Sequence, residues 1–555
     1  MKKYILKISL LTMVAACSFS CSKKIDEVYA NPNTDVRVPP ETLLPQIISA
    51  MAANYAGHGP LNDARYIGQY IQNWQYHTTL SQFDRMGYIN STADVAQSTW
   101  RMHYYDIGQN NKKMIEWAIE EKKWDYAGVG KAIFAWSWMT LTDYYGDVIL
   151  KEAFNTDLLT FKYDTQPEVY AYVKQLCFES LDLLNKTGDN ASQANLAKGD
   201  AYMYNGDVNK WKKFVYGVLA RVYNRYSNKA DYKPDSVIYF ADRAMTANDD
   251  NAMVKFAATT TSATNNFYGP YRGNLSSTTT PVAIRQGAFI ANLMNGSNSA
   301  FPTIEDPRAI YRLRLNANNT FRGLQPNKGQ TVMNANDRPE NFWGVSQTAG
   351  IVNTAPTNDN NSRYIFRNAA PAPVMTAAEM KFVKAEAAFR KNDKATALQA
   401  YREGISLDFD MLTTTFSANI PAGKEITAVS KDAYLNNTTI VPATAAGLTM
   451  SKIMLQKYNA LFGWGVLETW VDMRRYHYVD VYPGESTQVY ADFAPPSGTD
   501  LFPDNSQGNF AKNPLKLVYR YYPRYNSEFV WNINELARVG GTTNYYHTMP
   551  IWFAE

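Results

Sequence analysis

Aromatic rings set among amides, carboxylates and guanidiniums suit a ligand with flat apolar faces and polar edges, which describes a sugar ring. Such a site stacks its rings on the faces and aims Asn, Asp, Gln or Arg at the hydroxyls. Two parts of the chain have this mixture. One is Asn73-Trp74-Gln75-Tyr76-His77, continuing to Phe83-Asp84-Arg85. The other is Asn265-Asn266-Phe267-Tyr268 with Tyr271-Arg272, followed by Asn341-Phe342-Trp343. The candidate ligand-binding residues are therefore Trp74, Tyr76, Phe267, Tyr268, Tyr271, Arg272 and Trp343. A ring packed beneath its own loop leaves the same trace in a sequence, so each candidate also has a packing reading.

Signatures of catalysis are missing from the sequence. It has no Gly-rich phosphate loop ending in Lys-Ser/Thr, no His-Glu-x-x-His helix and no Gly-x-Ser-x-Gly elbow. His58, His77, His103, His477 and His547 are scattered without metal-ligand spacing. Asp306, in Glu305-Asp306-Pro307-Arg308, could serve a carboxylate pair but reads better as a turn contact. The expectation is a binding protein with no catalytic residue, no metal and no cofactor. A net charge of +4 on 555 residues is too small for a nucleic-acid partner. Aromatic residues reach 14%, with 39 Tyr and 12 Trp, which suits a protein that offers rings to ligands.

The N-terminus bears on location. Lys2 and Lys3 precede an apolar run from Tyr4 to Ala16, too short to span a bilayer and typical of a secretory signal. Two cysteines close it. Cys21 follows Ser18-Phe19-Ser20 and precedes the polar Ser22-Lys23-Lys24, so it is the preferred lipidation residue; Cys17, after Val14-Ala15-Ala16, is the alternative. Acyl chains on such a cysteine would anchor the protein to a membrane, each buried CH₂ contributing about 0.8 kcal/mol. Only Cys177 remains beyond the signal, so no disulfide framework exists. Its setting, Val173-Lys174-Gln175-Leu176-Cys177-Phe178, has a helical pattern and makes it a small buried hydrophobe.

The elements that must position the rings are helices. Apolar residues at three- and four-residue spacing predict helices from about residue 41 and over 97–120, 127–144, 166–186, 209–228 and 234–247. Two segments read as helix–turn–helix pairs. In the later one, Phe382, Ala385, Ala388 and Phe389 face Ala397, Ala400, Tyr401, Gly404 and Ile405 across a turn at Asn392-Asp393. Small residues let two helices approach while one ring fills the gap, as in tetratricopeptide-type repeats. The earlier pair runs through Phe214, Leu219, Ala220, Val222 and Tyr223, then Ile238, Ala241, Ala244 and Met245. The expected organisation is a signal (1–20), a tether (21–40), a helical scaffold (41–247), a loop-rich ligand-face subdomain (248–375) and a C-terminal helical and loop region (376–555). Residues 248–375 are rich in Asn, Thr, Ser, Gly and Pro yet keep many rings, which argues for ordered irregular structure.

Several blocks, in order, resemble the SusD/RagB family of Bacteroidetes outer-membrane lipoproteins. They are Tyr29-Ala30-Asn31-Pro32-Asn33; Trp100 to Asn110; Ala135 to Ala153, with Ile149 where the family has Pro; Gly206-Asp207 with Trp211 to Phe214 and Leu219 to Tyr223; Phe382 to Ala388; Gln456-Lys457-Tyr458; Trp470 to Arg475; and Arg520 to Pro523. The resemblance covers most of the chain and says little about 248–375. It implies a mainly α, tetratricopeptide-like scaffold with a variable loop-rich ligand face. It also implies a lipid-anchored, surface-facing protein of the outer membrane that caps a SusC-like TonB-dependent barrel and delivers glycan or, in some members, peptide. A scaffold of an uptake complex that grips no cargo is the competing expectation. The family does not transfer ligand residues here. Asp472, Arg474 and Arg475 are expected to form a structural ion-pair cluster, Trp100 and Trp470 to be core, and Gly146 to need a positive φ.

Overall fold

The computed structural model describes residues 37–53, 62–89, 97–258, 266, 284–339, 362–502, 510–511 and 516–555. The candidate lipidation residues Cys17 and Cys21 lie outside this set, as do Phe267, Tyr268, Tyr271, Arg272 and Trp343.

Helices carry the fold. Those used below are α1 (Pro40–Ala52), α2 (Asn62–Tyr70), α3 (Gln109–Glu120), α4 (Trp124–Tyr145), α5 (Gln166–Leu184), α6 (Gln193–Gly199), α7 (Val208–Asn224), α8 (Pro234–Ala241), α9 (Ala288–Met294), α10 (Ala377–Arg390), α11 (Lys394–Thr415), α12 (Ala428–Leu435), α13 (Met450–Ala460) and α14 (Val466–Arg475). Their ends follow from local chemistry. Pro stands in the first turn of α1, α5 and α8, where its missing N–H costs nothing. Asp207, Thr376 and Asp393 accept backbone N–H groups at the starts of α7, α10 and α11. Gly146 ends α4 at φ +80° while its N–H returns to the Thr142 carbonyl, as the sequence led us to expect.

Antiparallel neighbours build the scaffold: α3 on α4, α4 on α5, α7 on α8 and α10 on α11, with α10 also against α8 and α13. The α10–α11 contact uses the predicted logic. A Cβ on Gly404 would lie 3.0 Å from the Phe382 ring, so the ring occupies the space glycine leaves. Helix α4 is apolar on all sides and buried along almost its whole length, which makes it the centre of the N-terminal half. Cys177 is fully buried, and burial pushes its thiol up. Among the described residues no helix is long and apolar enough to cross a membrane.

Two elements differ from the periodicity reading. Helix α8 ends at Ala241, passes into turns over 242–244, and is kept from continuing to 247 by Asp250, which accepts the N–H groups of Thr246 and Ala247. The predicted helix over 97–120 carries a π-helical stretch, Met102–Gly108, between Ser98–Arg101 and α3. The stretch stays helical with i→i+5 hydrogen bonds over only seven residues, too few for a periodicity window to separate from an α-helix.

A buried charge network joins α4, α7, α10, α13 and α14. Arg221 pairs with Glu379 at 2.6 Å, Arg225 with Asp143 and Glu468 at 2.9 and 2.7 Å, Arg475 with Glu386 and Asp472 at 2.7 and 2.6 Å, and Lys457 with Asp472 at 2.7 Å. The expected Asp472 and Arg475 pairing is part of it. Arg474 departs from the expectation: it donates to the carbonyls of Asp143 and Tyr519 and stacks 3.5 Å from the centre of the Trp470 ring. Trp470 and Trp100 are both buried.

Among the described residues there are three short antiparallel ladders, of which the first ties the irregular region to this body. Strand β1 (Trp74–Tyr76) pairs with β4 (Ile284–Gln286), β2 (Tyr88–Ile89) with β6 (Phe510–Ala511), and β3 (Ala252–Val254) with β5 (Ala372–Met375). A second buried network clamps 306–312 onto α11, α12 and α13. Arg308 binds Asp306 and Asp408, Arg312 binds Asp408 and Asn459, and Tyr434 donates to Asp306. Asp306 is thus a structural carboxylate that also receives the Arg308 N–H two residues on, in agreement with the turn reading.

Candidate functional site

Strand β1 runs on from Gln72, which forms one wall of a cleft. Its ladder sets Trp74 opposite Gln286 and Tyr76 opposite Ile284, the first described residue after 267–283. The backbones here approach very closely. A Cβ on Gly287 would sit 2.1 Å from the Gln72 carbonyl oxygen, and one on Gly323 would sit 2.1 Å from the Gly287 carbonyl oxygen. Glycine alone permits this, and Gly287 N–H to Asn73, Leu324 N–H to Gln286 and Ala288 N–H to Leu324 close the floor.

The structure corrects the reading of Trp74. Its side chain is fully buried, its indole N–H donates to the Arg65 carbonyl at 2.7 Å, and its ring fills the space beside Gly68 on α2. Trp74 is a core ring with no face left for a ligand. Alternation explains why: on a strand, Trp74 and Tyr76 share one face, and at Trp74 that face meets the helix. Tyr76 is half-buried and keeps part of its ring accessible.

Asp84 fixes this strand. Its carboxylate accepts the Tyr76 N–H through both oxygens, at 3.1 and 3.0 Å, and the Gln69 amide of α2 at 2.6 Å. The backbone N–H of Asn327 also points to it. Burial outweighs these donors and pushes the acid up to about 7. Asn327 then donates to Asp500 and accepts from the Leu80 N–H.

The cleft itself has a volume of about 220 Å³ and lies between Gln72, the 325–328 and 492–500 segments and α9. Gln72, Asn292 and Gln325 bring amides to it, Asp492 and Asp500 carboxylates, and Lys328 an ammonium. Phe289, Pro495 and Pro496 supply flat apolar surface. Gln72, at φ +60°, spends one amide hydrogen on the Ala494 carbonyl at 2.7 Å. Asp492 accepts the Ser299 N–H and hydroxyl. Lys328 donates to Asp500 at 2.6 Å and holds its carboxyl below the usual range. Both carboxylates are thereby oriented as fixed acceptors. The mixture of amides, paired charges and flat apolar faces suits a neutral, hydroxyl-rich ligand.

None of these cleft residues was a candidate from the sequence. They come from segments far apart in the chain and share no spacing. Asp84 and Tyr76 were within the first aromatic cluster, and neither lines the cleft. Phe267, Tyr268, Tyr271, Arg272 and Trp343 lie outside the described residues, so their position relative to the cleft is open.

A family model for SusD-like proteins, described as starch-binding and associating with the outer membrane, matches residues 32–497. The chain belongs to the SusD-like family. Several solved structures share this SusD-like fold over nearly their whole length. A SusD/RagB family protein from Bacteroides thetaiotaomicron aligns with a TM-score of 0.65 at 20% identity, covering 93% of this chain and 99% of that one. A SusD homologue from Bacteroides fragilis gives 0.66 at 18% identity, with 93% and 100% covered. A chitin-binding protein gives 0.64 at 19% identity, again with 93% and 100% covered. At these identities the likeness establishes the SusD-like fold, mainly α on a helical scaffold. No protein of curated function matches the chain.

Proposed function

We propose that this SusD-like protein binds a glycan in the cleft between Gln72, Asn292, Gln325 and Asp492 and delivers it to a TonB-dependent outer-membrane barrel of the SusC type, acting as that barrel's lid. The observation that carries the reading is the cleft's chemistry within a family described as starch-binding. Oriented amides and carboxylates would hold sugar hydroxyls, while Phe289 and the two prolines offer surface to C–H faces. Tyr76 pairs with Ile284, the first described residue after the segment containing Phe267, Tyr268, Tyr271 and Arg272. Those residues and Trp343 complete the proposed site. The protein is a binder that leaves its cargo intact. Acylation at Cys21, or at Cys17, would hold it on the outer membrane facing the surroundings.

The test is affinity electrophoresis and calorimetry with soluble starch, chitin oligosaccharides and peptides, on the wild type and on Asn292→Ala and Asp492→Ala. Retention by a glycan that both substitutions weaken supports the reading. Retention by peptide alone would favour a RagB-like peptide binder, and release of reducing ends would mean catalysis. Failure to retain any polymer while a barrel co-purifies from membranes would leave a scaffold without cargo.

A further inference from the structure

A second cavity, of about 330 Å³, is lined from both π-helical segments found among the described residues. Trp100 and Tyr104 come from one side, Ser527 and Glu528 from Tyr525–Phe529 on the other, and Phe154 and Phe161 from the loop between α4 and α5. It shares no lining residue with the cleft.

The construction is specific. Phe154 sits at φ +63°, a backbone conformation that a bulky side chain rarely adopts. Its ring lies where a Cβ on Gly108, the last residue of the first π-helical stretch, would be 2.4 Å away. The widened helix and its glycine therefore make room for a strained phenylalanine, and strain of this sort gathers at binding sites. Ring centres of Trp100 and Tyr104 lie 5.1 Å apart, and those of Tyr104 and Phe154 6.2 Å apart, so the rings form a continuous wall.

Glu528 supplies the one carboxyl of the lining, beside the exposed Gln109, Asn155 and Thr156 and the half-buried Ser527. Glu528 is 2% exposed and accepts from the Tyr163 hydroxyl at 2.7 Å and from Asn532 at 2.9 Å. Burial makes it a weaker acid, with its pKa above the ordinary carboxylate value. A carboxyl oxygen has room for more than one donor.

We propose that this cavity is a second ligand site, separate from the glycan cleft, which takes one aromatic ring bearing a hydroxyl, a phenol by class, with the hydroxyl directed at Glu528. Size, wall chemistry and polarity each limit the ligand. A cavity of roughly 150 Å³ already accepts a benzene ring, so this one holds a substituted ring. Seven of the twelve lining residues are rings or aliphatics, and Gln109, Asn155 and Thr156 are exposed side chains, so most hydroxyls of a pyranose would lose water against groups that return no hydrogen bond. A ring with a single donor meets both the stacking walls and the one acidic group.

The experiment uses the full chain and three probes, p-cresol, toluene and methyl glucoside, followed by calorimetry and saturation-transfer NMR. Saturable p-cresol binding is expected, with toluene about tenfold weaker for want of one hydrogen bond and methyl glucoside silent. Ala153→Trp, which fills the cavity, should abolish p-cresol binding while circular dichroism stays unchanged. Asp492→Ala, in the cleft, should leave p-cresol binding intact, so failure here is distinguishable from failure of the glycan reading. No saturable p-cresol binding, or binding that survives Ala153→Trp, would overturn the site. Equal affinity for toluene, or preference for methyl glucoside, would overturn its ligand class.

Discussion

Asp84 receives the Tyr76 backbone N–H through both carboxylate oxygens, at 3.1 and 3.0 Å, with no lysine or arginine among the groups that hold it. Burial therefore wins, and the acid is pushed up to about 7. A carboxyl whose folded value lies above its unfolded value favours the folded state at low pH. That contribution is lost as pH rises from about 4 to about 7. Asp84→Asn keeps one acceptor for Tyr76 and removes the ionisation. Relative to wild type, the variant should gain stability between pH 5 and pH 8, by about 2 kcal/mol. Denaturant titrations at the two pH values check this, and a constant difference between the proteins would refute it.

Glu468 shows the opposite balance. Burial alone would raise its carboxyl, but the Arg221 and Arg225 guanidiniums outweigh that and hold it at about 2. Arg225 donates to both of its oxygens, at 2.8 and 2.7 Å. Here stability is present above the ordinary carboxylate value and is lost as pH falls from about 4.5 to about 2. At neutral pH, Glu468→Gln should cost about 3–5 kcal/mol, since two buried guanidiniums lose their counter-charge. Thermal unfolding at pH 7 measures it, and a change under 1 kcal/mol would mean that Asp143 and Glu379 suffice.

The helical body was legible because its signals are local. The turn at Asn392-Asp393, the pairing of the Phe382 and Gly404 helices across it and the positive φ of Gly146 each depend on nearby stretches of chain. The Asp472–Arg475 pair was readable for the same reason, but Arg474 was not, because its acceptors are carbonyls at 143 and 519. The cleft was hidden for a further reason. Gln72, Asn292, Gln325 and Asp492 become neighbours only through long-range packing, and polar residues leave no periodic trace. The burial of Trp74 followed from α2 passing over one face of β1, which no pattern within 73–77 encodes.

Trp74 and Trp343 should therefore respond differently to truncation. Trp74→Ala empties a core site and should cost about 3–5 kcal/mol of stability, with the affinity of the remaining folded protein for glycan little changed. Trp343→Ala should leave stability nearly intact and weaken glycan binding at least tenfold, the loss typical of a well-used interface ring. Paired melting and titration of the two variants test this. Unchanged affinity in Trp343→Ala would remove that ring from the proposed site.

Gly287 offers a route to the cleft that touches no ligand group. A methyl placed there would meet the Gln72 carbonyl oxygen at 2.1 Å and its carbon at 2.9 Å. Both are backbone atoms, so relief requires β1 and β4 to separate. Gly287→Ala should lower stability by about 1–3 kcal/mol through overpacking. It should also speed hydrogen exchange at Asn73 to Tyr76 and weaken glycan retention more than Asn292→Ala does, because Gln72 and the Ala494 loop it holds would move together. Exchange rates equal to wild type, with retention intact, would show that the ladder does not set the geometry of the cleft.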